Sequence, residues 1–260
     1  MKIGALGAGS DYSPFFQHLG IPSANIGYGG EGSGGEYHSI YDSYDHFTRF
    51  KDPGFQYGVT LAKTTGRAML RLANADLLPF EYNTLVNTIG EYLAEVKMLI
   101  EQTRSDIEWE NKLINEKAYA LSADPTLKFA LPKAKGAVPF LDFSPAENAV
   151  FQLKATAEAL KAAITKADQL DAEKLSKLNG VLYQAEQKLL DEKGLPRRPW
   201  YRHQIYAPGF YTGYGVKTLP GVREGIEEAN WKEAQERISV LSRTLLGFDQ
   251  TLQQAISILH

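Results

Sequence analysis

At 260 residues, with 28 Lys and Arg against 31 Asp and Glu and 43% hydrophobic residues, the chain is long enough to bury a core as one large domain or two small ones. A net charge of −3 without a basic cluster leaves no electrostatic footprint for nucleic acid. No apolar run reaches the roughly 18 residues that span a bilayer. The absence of cysteine excludes disulfides, thiolate metal sites and cysteine nucleophiles. With only five histidines, any metal site built from this chain alone would need carboxylates.

Residues 1–50 are rich in glycine and aromatics. Glycines cluster in Gly4-Ala5-Leu6-Gly7-Ala8-Gly9-Ser10-Asp11 and again from Gly27 to Gly35. The opening Met1-Lys2-Ile3-Gly4 has no apolar core of the signal-peptide kind, so none is expected here. Pro14 to Gly20 predicts a short helix ended by a glycine just past its C-terminus. Ser23-Ala24-Asn25-Ile26-Gly27-Tyr28 predicts a short buried strand. Together these make an α/β pattern with long loops.

From residue 52 the apolar period becomes helical. Asp52-Pro53 predicts a helix start, with Phe55, Val59, Ala62 and Met69 on one face. A second helix is expected over about 82–118, carrying Leu85, Ile89, Leu93, Val96 and Ile100. Residues 123–143, with three prolines, read as an irregular connection. Ser144-Pro145-Ala146-Glu147 predicts a capping box opening a third helix. Leu175, Leu178, Leu182, Ala185 and Leu189 mark a fourth, and Ile226 to Ile256 a last one over about 222–258. These long amphipathic helices predict a bundle from about residue 80 onward. Within it, residues 194–221 stand out as a Pro-rich loop carrying Trp200, Tyr201, Tyr206, Phe210, Tyr211 and Tyr214. Such a loop is either functional or a packed Ω-loop. Arg197, Arg198 and Arg202 read as its solvated face.

The glycines of Gly4–Asp11 match neither G-x-G-x-x-G nor G-x-x-x-x-G-K-[ST], so a phosphate cradle is not expected, although they allow backbone N–H groups to approach a ligand. The richest chemistry lies in Glu36-Tyr37-His38-Ser39-Ile40-Tyr41-Asp42-Ser43-Tyr44-Asp45-His46. There an imidazole, a common zinc ligand, sits beside a phenol with carboxylates close by. A lone loop histidine is more often structural, and His18 and His46 are read that way. Ser39 has no nucleophile elbow around it.

Several stretches, in order along nearly the whole chain, resemble the glutamate carboxypeptidase II group of co-catalytic zinc peptidases. They are Leu6-Gly7-Ala8-Gly9-Ser10-Asp11, Phe15-Phe16-Gln17-His18-Leu19-Gly20-Ile21, Tyr37-His38-Ser39-Ile40-Tyr41 with Tyr44, and Leu77-Leu78-Pro79-Phe80. The resemblance returns in Gly194-Leu195-Pro196, Tyr201-Arg202-His203, Ile205-Tyr206-Ala207-Pro208, Tyr214 and Pro220-Gly221. It implies an α/β stub, the C-terminal part of a zinc-exopeptidase domain over residues 1–78. An all-α helical bundle follows over 79–260, similar to the transferrin-receptor dimerisation domain.

By this resemblance His38 matches the family's last zinc ligand and Tyr37 a catalytic tyrosine that hydrogen-bonds the oxyanion. Gly9 and Ser10 match the loop lining the substrate pocket, and Tyr214 a tyrosine that binds the substrate's terminal carboxylate. The other ligands of the two zinc ions, and the general base, match positions upstream of Met1, so the chain is expected to be part of a larger enzyme and inert alone. Gly213, Asn25 and Gly27 stand where the glutamate-specific relative has cations, which argues against strict selectivity for a C-terminal glutamate. Glu31 and Glu36 offer an alternative, an α-amino group as the recognised end. The resemblance further implies a peptide substrate, a homodimer through the helical domain and an extracytoplasmic location. The competing readings are a catalytically dead, transferrin-receptor-like binding protein and an orphan dimerisation module.

Overall fold

The computed structural model describes residues 4–30, 32, 35–124, 126, 130–165 and 167–260. They divide into two compact units, one running from the N-terminus to Pro22 and resuming at Glu81–His260, the other Ser23–Phe80.

In the smaller unit, Ser43 accepts the His46 N–H through its hydroxyl and so caps α1 (Tyr44–His46), which continues as a π-helical turn, Phe47–Lys51. Helix α2 (Gln56–Ala73) follows. It begins later than Asp52-Pro53 predicts. Gly54 and Phe55 both take left-handed backbone conformations, with φ of 81° and 60°. The Asp52 carboxylate reaches over that turn to accept the N–H groups of Tyr57 at 3.0 Å and Gly58 at 2.8 Å. The acid still satisfies helix-terminal donors, from a position before the turn. The expected apolar face of Phe55, Val59, Ala62 and Met69 is not buried; no residue of α2 is. An amphipathic face is buried only against a second layer, and within this unit α2 has none. The strand expected at 23–28 is also absent, and Ala24 to Tyr28 are exposed. A strand needs a partner for its ladder, and the two described strands of the chain pair only with each other.

The larger unit contains the bundle. Helix α3 (Tyr82–Asn115) is capped by Glu81, whose carboxylate accepts from Asn83 N–H at 3.1 Å and Thr84 N–H at 3.0 Å. A short helix, α4 (Ala118–Ser122), leads into the irregular connection that the prolines predict. Helix α5 (Ser144–Ile164) has no capping box. Ser144 is already helical, its N–H is taken by Asp142 Oδ1 at 2.9 Å, and Glu147 is paired with Lys97 of α3. The helix starts one residue too early for Ser144 to cap it. Helix α6 (Ala172–Gln184) is capped by Asp171 and tightens into a 3₁₀ turn, Ala185–Leu189.

The last predicted helix is two, α7 (Pro220–Glu227) and α8 (Trp231–Leu259). Between them Ala229 is left-handed at φ 53°, and Asn230 N–H bonds Gly225 O at 2.8 Å while Ala229 N–H bonds Ile226 O at 3.0 Å. That pair is a Schellman stop, achieved without glycine at the left-handed position. Asn230 then caps α8 by accepting from Glu233 N–H. The turn is tight because Gly225 lies against Ala234; a Cβ at residue 225 would come within 2.9 Å of the Ala234 backbone.

Apolar positions repeating at helical spacing meet along α8. Ile238, Leu241, Leu245, Phe248 and Leu252 are buried where α8 meets α5, which carries Leu153 and Leu160, and α6, which carries Leu178 and Leu182, while α3, with Ile89 and Val96 buried, packs on α5 and α7. The Tyr82 ring meets Phe248 edge-on at 5.6 Å, and its hydroxyl donates to Leu182 O at 2.8 Å. Asp249, also buried, accepts from Gln152 at 2.7 Å and Gln253 at 2.8 Å. An α/β stub followed by a helical bundle describes the molecule.

Burial pushes the phenols of Tyr82 and Tyr206 above the ordinary tyrosine range, with the Glu186 carboxylate adding to both. In the unfolded chain they ionise near pH ~10. The stability they contribute is therefore complete below that pH and lost as pH rises beyond it, because only the unfolded state releases those protons. In an alkaline titration followed by tyrosinate absorbance, two of the 14 tyrosines should ionise only together with loss of helical circular dichroism. Complete ionisation with the helices intact would contradict this packing.

Candidate functional site

Strands β1 (Tyr206–Pro208) and β2 (Val216–Thr218) form an antiparallel hairpin with Tyr206 opposite Thr218 and Pro208 opposite Val216. Its tip closes on itself: Gly209 N–H bonds Gly215 O at 2.8 Å, and the Thr212 hydroxyl donates to the same carbonyl at 2.9 Å. Gly213, at φ 58°, makes the turn that presents Tyr214. The Tyr214 carbonyl accepts from Ala8 N–H at 3.3 Å, and its ring lies flat against Gly9. Two glycines make this approach possible. A Cβ at residue 7 would fall 2.2 Å from the Tyr214 carbonyl oxygen, and one at residue 9, where φ is 88°, would fall 2.8 Å from the ring. Gly9, Ser10 and Tyr214, singled out in the sequence from opposite ends of the chain, thus form one surface. Tyr214 and Ser10 face solvent there, so ring, hydroxyls and loop backbone are open to a ligand.

Gln17, which the sequence reading passed over, holds this surface. It sits on the π-helical turn Pro14–His18 and is fully buried. Its side-chain amide donates to the carbonyls of Leu6, at 3.2 Å, and Gly7, fixing the glycine loop from below. Its main-chain carbonyl accepts the N–H groups of Arg202 at 2.9 Å and His203 at 3.2 Å, fixing the chain that leads into β1. The one available signal was a polar residue inside the apolar run Phe15-Phe16-Gln17-His18-Leu19.

His203 is wholly buried. Its Nδ1 accepts from the N–H groups of Ile205 and Tyr206, so Nε2 carries the proton and donates to Glu186 at 2.8 Å. With Phe16 at 4.6 Å and Tyr206 at 5.6 Å between ring centroids, it is a packed structural histidine. His18 likewise stacks on Trp200 at 4.9 Å and bonds its carbonyl.

Two of the arginines expected on a solvated face are paired. Arg198 places Nη2 at 2.7 Å from both oxygens of Glu224 on α7, with both side chains nearly buried at 10% and 6% exposure. It also donates to the Pro208 carbonyl, and Glu224 accepts the Phe210 N–H at 2.8 Å. Burial pushes the Glu224 carboxyl up and the Arg198 guanidinium down, while their mutual attraction opposes both shifts. Arg197 bridges Glu228 and Glu233 at 3.0 Å each, and Arg202 is half-buried. The segment 194–221 is thus both packed and, at its tip, open. Sequence spacing cannot show this, because the carboxylates that satisfy the arginines lie on helices further along the chain.

In the smaller unit, Tyr37 and His38 occupy an exposed turn, their ring centroids 4.0 Å apart. His38 adopts a left-handed conformation at φ 59°, and its N–H reaches Asp42 Oδ2 at 3.4 Å. Glu36 is paired with Lys51, which, with a backbone hydrogen bond, holds its carboxyl below the usual range. Glu31 lies outside the described residues. No group of three or more His, Asp or Glu placed to hold a metal occurs among the described residues. His38 offers one imidazole, which does not by itself fit a two-metal centre, for which several carboxylates and histidines must converge on ions about 3.5–4 Å apart.

Residues 141–253 match the model of the transferrin receptor-like dimerisation domain. A probable glutamate carboxypeptidase, LAMP1, of Arabidopsis thaliana is 32% identical over 92% of this chain. A probable glutamate carboxypeptidase of Arthroderma benhamiae is 30% identical over 94%. The aminopeptidase NAALADL1 of Rattus norvegicus is 26% identical over 97%. The chain spans only about 30% of the length of these relatives.

Replacing Arg198 by Met leaves Glu224 buried without its counter-charge and should cost about 3–5 kcal/mol in urea unfolding. The double variant R198M/E224M should regain most of that loss. A single variant within about 1 kcal/mol of the parent would contradict a buried pair.

Proposed function

We propose that this chain, which carries a transferrin receptor-like dimerisation domain and is related to proteins named as glutamate carboxypeptidases and an aminopeptidase, is the C-terminal portion of a zinc-dependent exopeptidase. The apposition of Gly9 and Tyr214 carries the reading, because it builds an open, glycine-floored pocket wall from two distant stretches of chain. In this reading the Tyr214 hydroxyl and the Gly9–Ser10 loop bind the substrate's terminal residue. Tyr37 donates a hydrogen bond to the oxyanion that develops at the scissile carbonyl. His38 contributes one imidazole to the metal centre. In this reading the remaining donors and the general base come from outside residues 1–260, and the chain alone is inert.

Gly213 offers no cation beside Tyr214, and a missing charge-assisted bond of roughly 1.5–3 kcal/mol argues against strict preference for a C-terminal glutamate. Recognition of a free α-amino group by Glu36 would require displacing Lys51. The working protein is read as a homodimer through its helical domain, in an extracytoplasmic compartment. No helix among the described residues is long and apolar enough to cross a membrane.

The test is peptide hydrolysis by a protein extended upstream of Met1 to the length of the relatives, supplied with zinc, on a free dipeptide and its N-acetylated form. Both His38→Ala and Tyr37→Phe should retain the fold, the first losing activity and zinc and the second losing kcat about 10²–10³-fold. Residues 1–260 alone should hydrolyse nothing. An extended, zinc-loaded protein with no hydrolysis would instead support a transferrin-receptor-like binding protein.

A further inference from the structure

We infer that Gln17 is a positioning residue for substrate: it braces the two walls that meet at Gly9 and Tyr214, and so sets the affinity for a peptide's terminal residue without contacting it. The inference rests on the exopeptidase reading above and deepens it, by naming what holds the binding wall in register.

The local sequence frees the Gln17 carbonyl for this task. Gly20, left-handed at φ 65°, ends the turn: its N–H bonds Phe16 O at 3.2 Å, and the Ile21 N–H bonds Phe15 O at 2.8 Å. The next residue, Pro22, has no N–H to give. The Gln17 carbonyl is therefore spent outside its own helix, on Arg202 and His203 at the root of β1. The turn that carries it is itself pinned. A Cβ at residue 20 would come within 2.8 Å of Gln187 Cα. On its other side the Phe16 ring lies 4.6 Å from His203 and 5.8 Å from Tyr206, between centroids.

The side chain works in one orientation only. Nε2 donates to Leu6 O at 3.2 Å and to Gly7 O, and a flipped amide would set Oε1 against both carbonyl oxygens. In this orientation Oε1 is buried with no hydrogen-bond partner. An apolar side chain of the same length would fill the space without stranding an acceptor. Packing therefore does not account for a glutamine here, whereas its two donors do. The loop they hold has glycine at 7 and 9 and little of its own to fix it. A binding wall made of such backbone is only as precise as its anchor, and small misplacements of a bound substrate are costly. The hydrogen bonds of Gln17 end on main-chain groups of the two walls and none on Tyr37 or His38, to which the chemical step is assigned. Its loss should weaken binding and spare the chemistry.

The experiment substitutes Gln17→Met, which keeps length and leaves the main-chain carbonyl in place. Hydrogen–deuterium exchange on the 260-residue chain reads the brace without any activity. Amides of residues 6–9 should exchange about tenfold or more faster, with those of Arg202, His203 and α8 unchanged. The second readout uses the zinc-supplied protein extended upstream of Met1. There KM for a dipeptide should rise about ten- to a hundredfold while kcat stays within about twofold. Preference for a free C-terminal carboxylate over the C-terminal amide should shrink in step. Gln17→Glu, close to the parent in shape, sets an acceptor against the same two carbonyls and should exceed Gln17→Met in both readouts. It keeps the test decisive if the methionine variant does not fold. Unchanged exchange at residues 6–9, or a kcat that falls with KM unchanged, would overturn the positioning role. An extended parent that hydrolyses nothing would overturn the exopeptidase reading, and the exchange result alone would then decide the brace.

Discussion

The larger unit depends on one helix. α8 is the element against which α5, α6, the 3₁₀ turn after α6, and α7 all pack, and its apolar stripe from Ile238 to Leu252 is sealed from water. The Schellman stop at Ala229 and the close approach of Gly225 to Ala234 fold α7 back on α8. That reversal places Glu224 where Arg198 can reach both of its oxygens. Arg198 and Glu224 in turn hold Pro208 and Phe210, the two sides of the hairpin's first turn. The hairpin delivers Tyr214 to the Gly7–Gly9 loop, which Gln17 fixes from beneath. A helix break in the bundle is therefore mechanically continuous with the presentation of one exposed phenol.

This chain of contacts gives the ion pair its physical sense. Two charges removed from water cost several kcal/mol each, and a buried pair is often no more stable than an apolar one. What Arg198 and Glu224 provide instead is direction, because the planar guanidinium donates from Nη2 to both carboxylate oxygens and from Nη1 to the Pro208 carbonyl, which few orientations allow. A loop as rich in tyrosine, proline and glycine as 194–221 has many ways to collapse. The pair selects one that leaves Tyr214 outward.

The smaller unit is the opposite case. Within 23–80, Tyr37, Ile40, Tyr41, Tyr44, Phe50, Tyr57, Met69 and Leu70 are all well exposed, and α2 buries nothing. An apolar face of that extent ordinarily marks a surface that meets a partner. At the exposed turn of Tyr37 and His38 one imidazole and one phenol stand side by side, and no group of three or more metal-ligating side chains occurs among the described residues.

The bundle was legible in the sequence because its information is periodic. Leu241, Leu245, Phe248 and Leu252 recur every three or four residues, and a helix turns that spacing into one face without reference to anything distant. The family resemblance likewise picked out Gly9, Ser10 and Tyr214, and glycine at positions 7 and 9 already signals close backbone approach. Helix boundaries were misread at Asp52, Ser144 and Ala229 for one reason. Asp52 does accept helix N–H groups, but Ser144 caps nothing and the stop at Ala229 carries no glycine, because turn geometry is not encoded in local composition. The strand at 23–28 failed because a strand is a property of two segments, and no segment among the described residues pairs with it. Gln17, the Arg198–Glu224 pair and the buried His203 were invisible for the same reason. Their roles lie in contacts with residues far away in sequence, and a polar side chain becomes structural only when folding removes the water that would otherwise satisfy it.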